Sequence, residues 1–342
     1  MRRFFIFLTT LIFLLGTMSF ADEAVLIDFS KLAADFPADN PTENGRTMID
    51  YSDKAGTSYN DDERKAMKIS LTLNNWEVRL ASSARRIINQ TLTMAKEVPV
   101  LDSAKKFAGE KVLGVRINFP NESFNSWASI KPPFEIPAYQ KMSELDSNGN
   151  IVVDENDKYG NKFVDGYGVV KNVGIIKTLT MNMYGSNFPN GIEVVLKDQN
   201  NREQVIFMDY MNFEGWRTLT WKNPNYITEV RQRDLYPSPL YPKATPFVKI
   251  AGINIKKDAM QEGGDIITYI KDITITYDRA LNDFDRDIDE EAIWGIMTER
   301  EDARRNAEFE RLGALQVLRY LEQKKMHVDN QTSGNPSGNP SR

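Results

Sequence analysis

Residues able to do chemistry are few in this chain, and their spacing assembles little of it. The 342-residue sequence has no cysteine and one histidine, His327. With a single imidazole and no thiolate, neither the familiar Ser/Cys–His triads nor a cysteine-based zinc site can form. No Gly-x-Ser-x-Gly elbow or phosphate-cradling glycine loop occurs. Gly166-Tyr167-Gly168 lacks the third glycine and the following helix that a dinucleotide site requires, so it reads as a turn. A glycosidase needs only two carboxylates roughly 5–10 Å apart, but nothing in the spacing of the 48 acidic residues singles out a pair. Asp283, Asp285, Asp287 and Asp289 imitate a calcium loop, yet an EF-hand would place Gly at Ile288 and Glu at Trp294. The chemistry points to a protein without a catalytic centre.

Aromatic residues offer a different activity, stacking on a sugar or a partner. Trp216 and Trp221 are five residues apart, so in a continuous strand they face opposite sides. Trp221 shares its face with Leu219 and reads as core, which leaves Trp216 on the other surface; Trp76 and Trp127 also read as core. The stretch 222–246 sets Tyr226, Tyr236 and Tyr241 among five prolines, a stiffened loop suited to contact.

The elements that would position these residues are mostly strands. Apolar residues alternate with polar ones in several runs: Val25/Ile27/Phe29, Trp76/Val78/Leu80, Leu113/Val115/Ile117/Phe119, Leu179/Met181/Met183, Ile192/Val194/Leu196, Ile253/Ile255 and Tyr269/Ile273/Ile275/Tyr277. Turn residues such as Pro189-Asn190-Gly191 and Gly263-Gly264 separate them. Many short strands with few helices predict a mainly β protein, an antiparallel jelly-roll-like sandwich over residues 22–280. Residues 37–60, 140–166 and 222–246 read as long polar loops, and Asp61–Ile69 as a short helix with acids in its first turn. Residues 281–328 read as a C-terminal helical segment, apolar at both ends and almost wholly charged between Glu299 and Arg305. Leu315, Leu318 and Leu321 on that helix are contact candidates, one end docking on the sandwich and the other on a neighbour. On that reading, removing residues 289–327 leaves a folded domain. The Ser-Gly-Asn-Pro repeats within 329–342 predict a tail without order.

Composition sets the compartment and excludes some partners. Arg2-Arg3, the apolar run Phe4–Met18 and Ser19-Phe20-Ala21 have the form of a cleaved secretory signal over residues 1–21. The net charge of −5, well mixed in sign, gives no footprint for nucleic acid. No later segment is apolar enough to enter a bilayer. An exported chain without disulfides must take its stability from packing.

Several segments resemble the FlaA family of spirochaete flagellar filament outer-layer (sheath) proteins. They are Val25–Leu32, Asn75–Val78, Ala108–Arg116, Ile130–Pro132, Asp165–Gly174, Tyr269–Ile273, Trp294–Ile296 and Gln316–Gln323. The resemblance runs from about Val25 to Lys325. It implies a non-enzymatic periplasmic protein that coats the flagellin core beside neighbouring copies and other sheath proteins, influencing filament stiffness and shape. The first and last strands are also similar to those of galactose-binding and carbohydrate-binding-module jelly rolls. That likeness implies a structural calcium near Asp28 and Asp272, with no other cofactor, and a periplasmic carbohydrate-binding module as the alternative function.

Overall fold

Period-two alternation makes each strand apolar on one side, and two such sheets bury those sides against each other. The structure, a computed structural model, describes residues 22–37, 39–140, 143–145, 151–153, 162–226, 245–281 and 287–333. Its strands are β1 (Asp22–Asp28), β2 (Ile49–Asp50), β3 (Lys68–Ile69), β4 (Glu77–Leu80), β5 (Met94–Pro99), β6 (Lys111–Phe119), β7 (Ser126–Lys131) and β8 (Ser143–Leu145). They continue as β9 (Ile151–Val153), β10 (Val169–Lys171), β11 (Val173–Ser186), β12 (Gly191–Asp198), β13 (Glu203–Tyr210), β14 (Glu214–Lys222), β15 (Phe247–Lys257) and β16 (Gly264–Arg279). The helices are α1 (Ser52–Ala55), α2 (Asp61–Lys65), α3 (Ile87–Leu92), α4 (Glu290–Trp294) and α5 (Ile296–Ser333).

One sheet runs β14-β11-β16-β6-β5, with β1 also on β16; the other runs β13-β12-β15-β7-β4, with β10 also on β15. Every pairing in both sheets is antiparallel. Leu113, Ile117, Leu179 and Met181 from the first sheet belong to the same buried core as Ile192, Val194, Ile253 and Ile255 from the second. The expected sandwich is therefore present, and its inner faces are the residues the alternation picked out.

Where alternation misled, a bulge or a short element is responsible. A bulge between Val25 and Ile27 lets both Leu26 and Ile27 point inward and leaves Val25 exposed. A second irregularity pairs Met183 with Ile270 but Asn182 with Asp272. It buries Ile270 and turns Tyr269 to the outer face, away from Ile273 and Ile275. Trp127, expected in the core, is 48% exposed because its neighbours Ala128 and Ile130 take the inner positions of β7. Trp76 is buried as expected, its indole N–H donating to the Leu71 carbonyl at 3.1 Å.

Residues 37–60 are not a polar loop. They form a 3₁₀ turn, β2 and α1, and they bury Met48, Ile49 and Tyr51. The helix expected after residue 60 is α2, with the Asn60 and Glu63 side chains capping reciprocally. In the 140–166 stretch, expected to be a polar loop, β8 pairs with β9; residues 146–150 between them lie outside the described residues.

The largest departure concerns α5. Phe309 stacks on Tyr51 at 5.8 Å, Leu312 is buried, and Tyr320 meets Tyr59 edge-on at 6.2 Å. A Cβ at Gly313 would lie 2.6 Å from Lys54 Cγ, so glycine is what lets α5 approach α1. The helix also reaches Ser333, beyond the expected limit at 328. Removing residues 289–327 would therefore strip a wall from the core rather than leave a finished domain. Gly313→Val is expected to destabilise the fold by about 1–3 kcal/mol through overpacking, read as a lower midpoint in denaturant. An unchanged midpoint would mean that α5 does not rest on α1.

Candidate functional site

Lys271 is the extra residue of the bulge in β16, and its side chain is almost fully buried. Its ammonium donates to Asp28 Oδ1 at 2.6 Å and to Ser30 Oγ at 3.0 Å, and it lies 2.9 Å from Glu110 Oε2. Burial opposes the charge, but the bonds to Asp28 and Glu110 outweigh it and hold the lysine above its ordinary pKa. The backbone is tied in beside this clasp: Asp28 N–H donates to the Gly166 carbonyl at 2.8 Å, and Gly168 N–H to the Leu26 carbonyl at 2.7 Å. Gly168 sits at φ +113°, and a Cβ there would lie 2.4 Å from Ile136 Cδ1, so the loop passes only as glycine. Residues 25–32, 108–116, 165–174 and 269–273, distant in the chain, meet here.

Asp28 and Asp272 are register partners, but their carboxylates have different tasks. Asp28 faces the Lys271 ammonium, whereas Asp272 accepts from Asn182 Nδ2 at 2.8 Å. Burial raises the Asp272 carboxyl above its ordinary pKa. Among the described residues no group of three His, Asp or Glu side chains is placed to hold a metal ion. The arrangement is a clasp in which one ammonium is held between two carboxylates.

Next to the clasp the outer face of the first sheet is aromatic. The Phe107 ring lies 5.7 Å from Lys271 Nζ and meets Trp216 edge-on at 4.8 Å. Trp216 meets Tyr184 at 5.6 Å, and Tyr184 meets Tyr269 at 5.8 Å. Trp216 is on the outer face as predicted, but it is half-buried and engaged by rings from two sides, unlike an open stacking platform. Trp221 packs against the core. Farther along the same face, Thr178, Thr180, Thr218, Thr220, Thr274 and Thr276 form a broad uncharged field of hydroxyls. Tyr236 and Tyr241 lie outside the described residues.

On the second sheet α5 is latched by a partly buried ion network. Glu135 pairs with Lys249 at 2.9 Å, Arg311 at 3.0 Å and Lys197 at 3.2 Å. Glu308 Oε2 accepts the backbone N–H groups of Ala138 and Tyr139, both at 3.0 Å. Burial works against the Glu135 carboxylate, yet the Arg311 bond and the two lysines hold its pKa well below the usual carboxylate range. A neighbouring groove of about 190 Å³ is smaller than the ~300 Å³ at which ligand pockets begin. With the centre of α5 docked, Leu315 and Leu318 face solvent and Leu321 is half-buried. The expected division into one docked end and one free end is replaced by a docked inner face and an exposed outer one.

Two measurements probe these clusters. Lys271→Met is expected to cost about 3–5 kcal/mol, because it leaves Asp28 and Glu110 facing each other without their cation; a neutral result in denaturant melts would remove the clasp from the account. Glu135 titrates lower folded than unfolded, so its contribution is complete above about pH 4.5 and fades as the pH falls toward its folded value. Hydrogen exchange in residues 305–322 should accelerate before the strands loosen on acidification, and simultaneous loosening would contradict the latch.

The family model described as "Flagellar filament outer layer protein Flaa" matches residues 40–286. The flagellar filament outer layer protein of Spirochaeta aurantia is 48% identical over 326 residues, covering 95% of this chain and 94% of its own. That of Treponema pallidum (strain Nichols) is 44% identical over 341 residues, covering 98% and 97%. A more distant one from Borreliella burgdorferi is 30% identical over 301 residues, covering 84% and 82%. Among solved structures, TmCBM61 in complex with beta-1,4-galactotriose aligns with a TM-score of 0.27 and 10% identity, over 60% of this chain and 90% of that one. That likeness is too distant to carry an argument about ligands. The chain belongs to the FlaA family of flagellar filament outer layer proteins.

Proposed function

We propose that this protein is a non-catalytic coat subunit, exported by its N-terminal signal into the periplasm and laid on the outside of the flagellar filament. There it contacts flagellin core subunits, neighbouring copies and other sheath proteins, and so alters the stiffness and shape of the filament. The observation that supports this reading best is kinship along the full length: relatives bearing that filament-layer description align over 95% and 98% of the chain. The residues agree with it. Lys271 spends its charge on Asp28 and Glu110, and Lys249 on Glu135 and Glu308. The protein acts through surfaces. No helix among the described residues is long and apolar enough to cross a membrane.

The exposed Leu315 and Leu318 on the rigidly docked α5 are the contact assigned to the filament core. Cells expressing a Leu315→Glu/Leu318→Glu variant should carry thinner filaments than wild type by electron microscopy, approaching those of cells lacking the protein. Export and folding of the variant should be unchanged. Normal filament thickness in cells lacking the protein altogether would refute the coating role.

A further inference from the structure

Register carries a straight row across the outer face of the second sheet: Trp127 on β7, Lys256 on β15, Gly191 on β12 and Tyr210 on β13. The next row in the same strands is Ser129, Asn254, Glu193 and Phe207. Alternation turns these residues away from the core, because Ala128, Ile255, Ile192 and Ile206 take the inner positions. Aromatic rings therefore stand in solvent on this face. Trp127 is half-exposed, Phe207 is 42% exposed and Tyr210 44%. Large apolar groups gathered in water on one face mark a contact site.

The rings are held in place. Phe207 and Tyr210 meet edge-on at 5.3 Å. A Cβ at Gly191 would lie 2.9 Å from Phe207 Cε2 and 3.7 Å from Tyr210 Cε1, so a bare backbone there lets both rings lie against the strand. Three strand spacings, about 14 Å, separate β13 from β7, and Trp127 forms the opposite wall of a shallow trough. Its floor is polar and fixed. Ser129 Oγ donates to Asn254 Oδ1 at 2.8 Å, and Lys256 pairs with Glu193, which is 6% exposed. The residues that border the undescribed segments lie at the other end of the strands. There Val169 N–H donates to the Phe163 carbonyl, Tyr226 to Asp278, and Leu281 N–H to Asn172. That is the end where β15 begins, whereas Trp127 and Tyr210 share a row with Lys256 near its finish.

We infer that this trough binds a short neutral glycan. A pyranose ring is apolar on its C–H faces, which stack on aromatic rings, and its hydroxyls both donate and accept at the edges. The trough offers both kinds of contact. Its walls are rings, and its floor sets an ammonium and an amide beside a carboxylate and a hydroxyl. Because Lys256 and Glu193 offset each other, the floor favours neither an anion nor a cation. Size argues against a second copy of the chain as occupant. With the exposed Val205 the trough spans three residue rows and four strands. That is roughly 14 Å by 14 Å, or about 200 Å², whereas a stable protein interface needs about 800 Å² from each partner. The site is distinct from the α5 contact, so it neither requires nor replaces the coating role.

The test is isothermal titration calorimetry of the protein as recovered after export, with cellotetraose, mannotetraose and chitotetraose as probes. Each is taken up to about 10 mM, enough to fill a site of millimolar affinity. At least one is expected to bind and to change the tryptophan fluorescence as it covers Trp127. The Trp127→Ala and Phe207→Ala/Tyr210→Ala variants, confirmed as folded by circular dichroism, should each weaken that binding by roughly tenfold or more. Trp127→Phe should keep the affinity within about threefold and lose the fluorescence change. Thr220→Ala, on the opposite sheet, should alter neither. Absence of binding by every probe, or binding that survives both alanine variants, would overturn the inference. So would a fluorescence change that persists in Trp127→Phe, or dimers of the protein in sedimentation velocity that the same alanine variants abolish. None of these results bears on coating, which filament thickness in cells reads independently.

Discussion

The ammonium of Lys271 is the point on which the first sheet depends. Its nearest oxygen, on Asp28, belongs to a residue 243 positions away in the chain. A buried cation without partners is costly, so the surrounding oxygens must be brought to it. Bringing Asp28 and Ser30 there seats β1 on β16. Holding the Gly166 and Gly168 backbone against β1 then carries the chain across to β10 on the opposite sheet. The same bulge turns Tyr269 outward to meet Tyr184, and Phe107 spans from the lysine to Trp216. The outer-face aromatic cluster is thus a consequence of one extra residue in one strand.

The second sheet is organised by a comparable device with the opposite sign at its centre. Glu135 is the anion that three cations share, and through Lys249 and Arg311 it reaches α5. Because Glu308 also satisfies two backbone donors that would otherwise be buried unpaired, the helix is bound by polar geometry as well as by Phe309 and Leu312. A chain with no disulfides has no covalent staple with which to attach a terminal helix. It uses a network that joins two strands, the loop after β7 and one helix.

These two clusters engage charged side chains in contacts that hold the fold together. The groups with the strongest electrostatics are turned inward and neutralise each other. Outside lie threonines on one sheet and leucines on the outer side of α5, among exposed charged side chains such as Arg79, Glu214, Lys222 and Asp265. Rigid, apolar and separately placed surfaces suit a subunit with several neighbours in a layer.

Much of this was legible in the residues. Strict alternation in Leu113–Phe119, Leu179–Met183 and Ile192–Leu196 determined which side of each strand is buried, because side chains of a strand have only two directions to choose from. The near-continuous likeness to one family determined the class of protein. Positions where the period breaks were not legible. A bulge shifts parity by one residue, so alternation puts Val25 and Tyr269 on the wrong face and nothing local announces the shift, while Trp127 is exposed in a strand of regular register. The clasp was half visible: Asp28 and Asp272 were singled out, but Lys271, the cation between the segments, was missed because its burial follows from the bulge. Likewise α5 was readable as a helix from its period. Which of its faces meets the sandwich was decided by Tyr51, Gly313 and Glu135, whose distance from one another in sequence is erased only when the chain folds. Local periodicity determined the elements, and long-range charge pairing and close approach, which exist only between segments already brought together, decided how they sit.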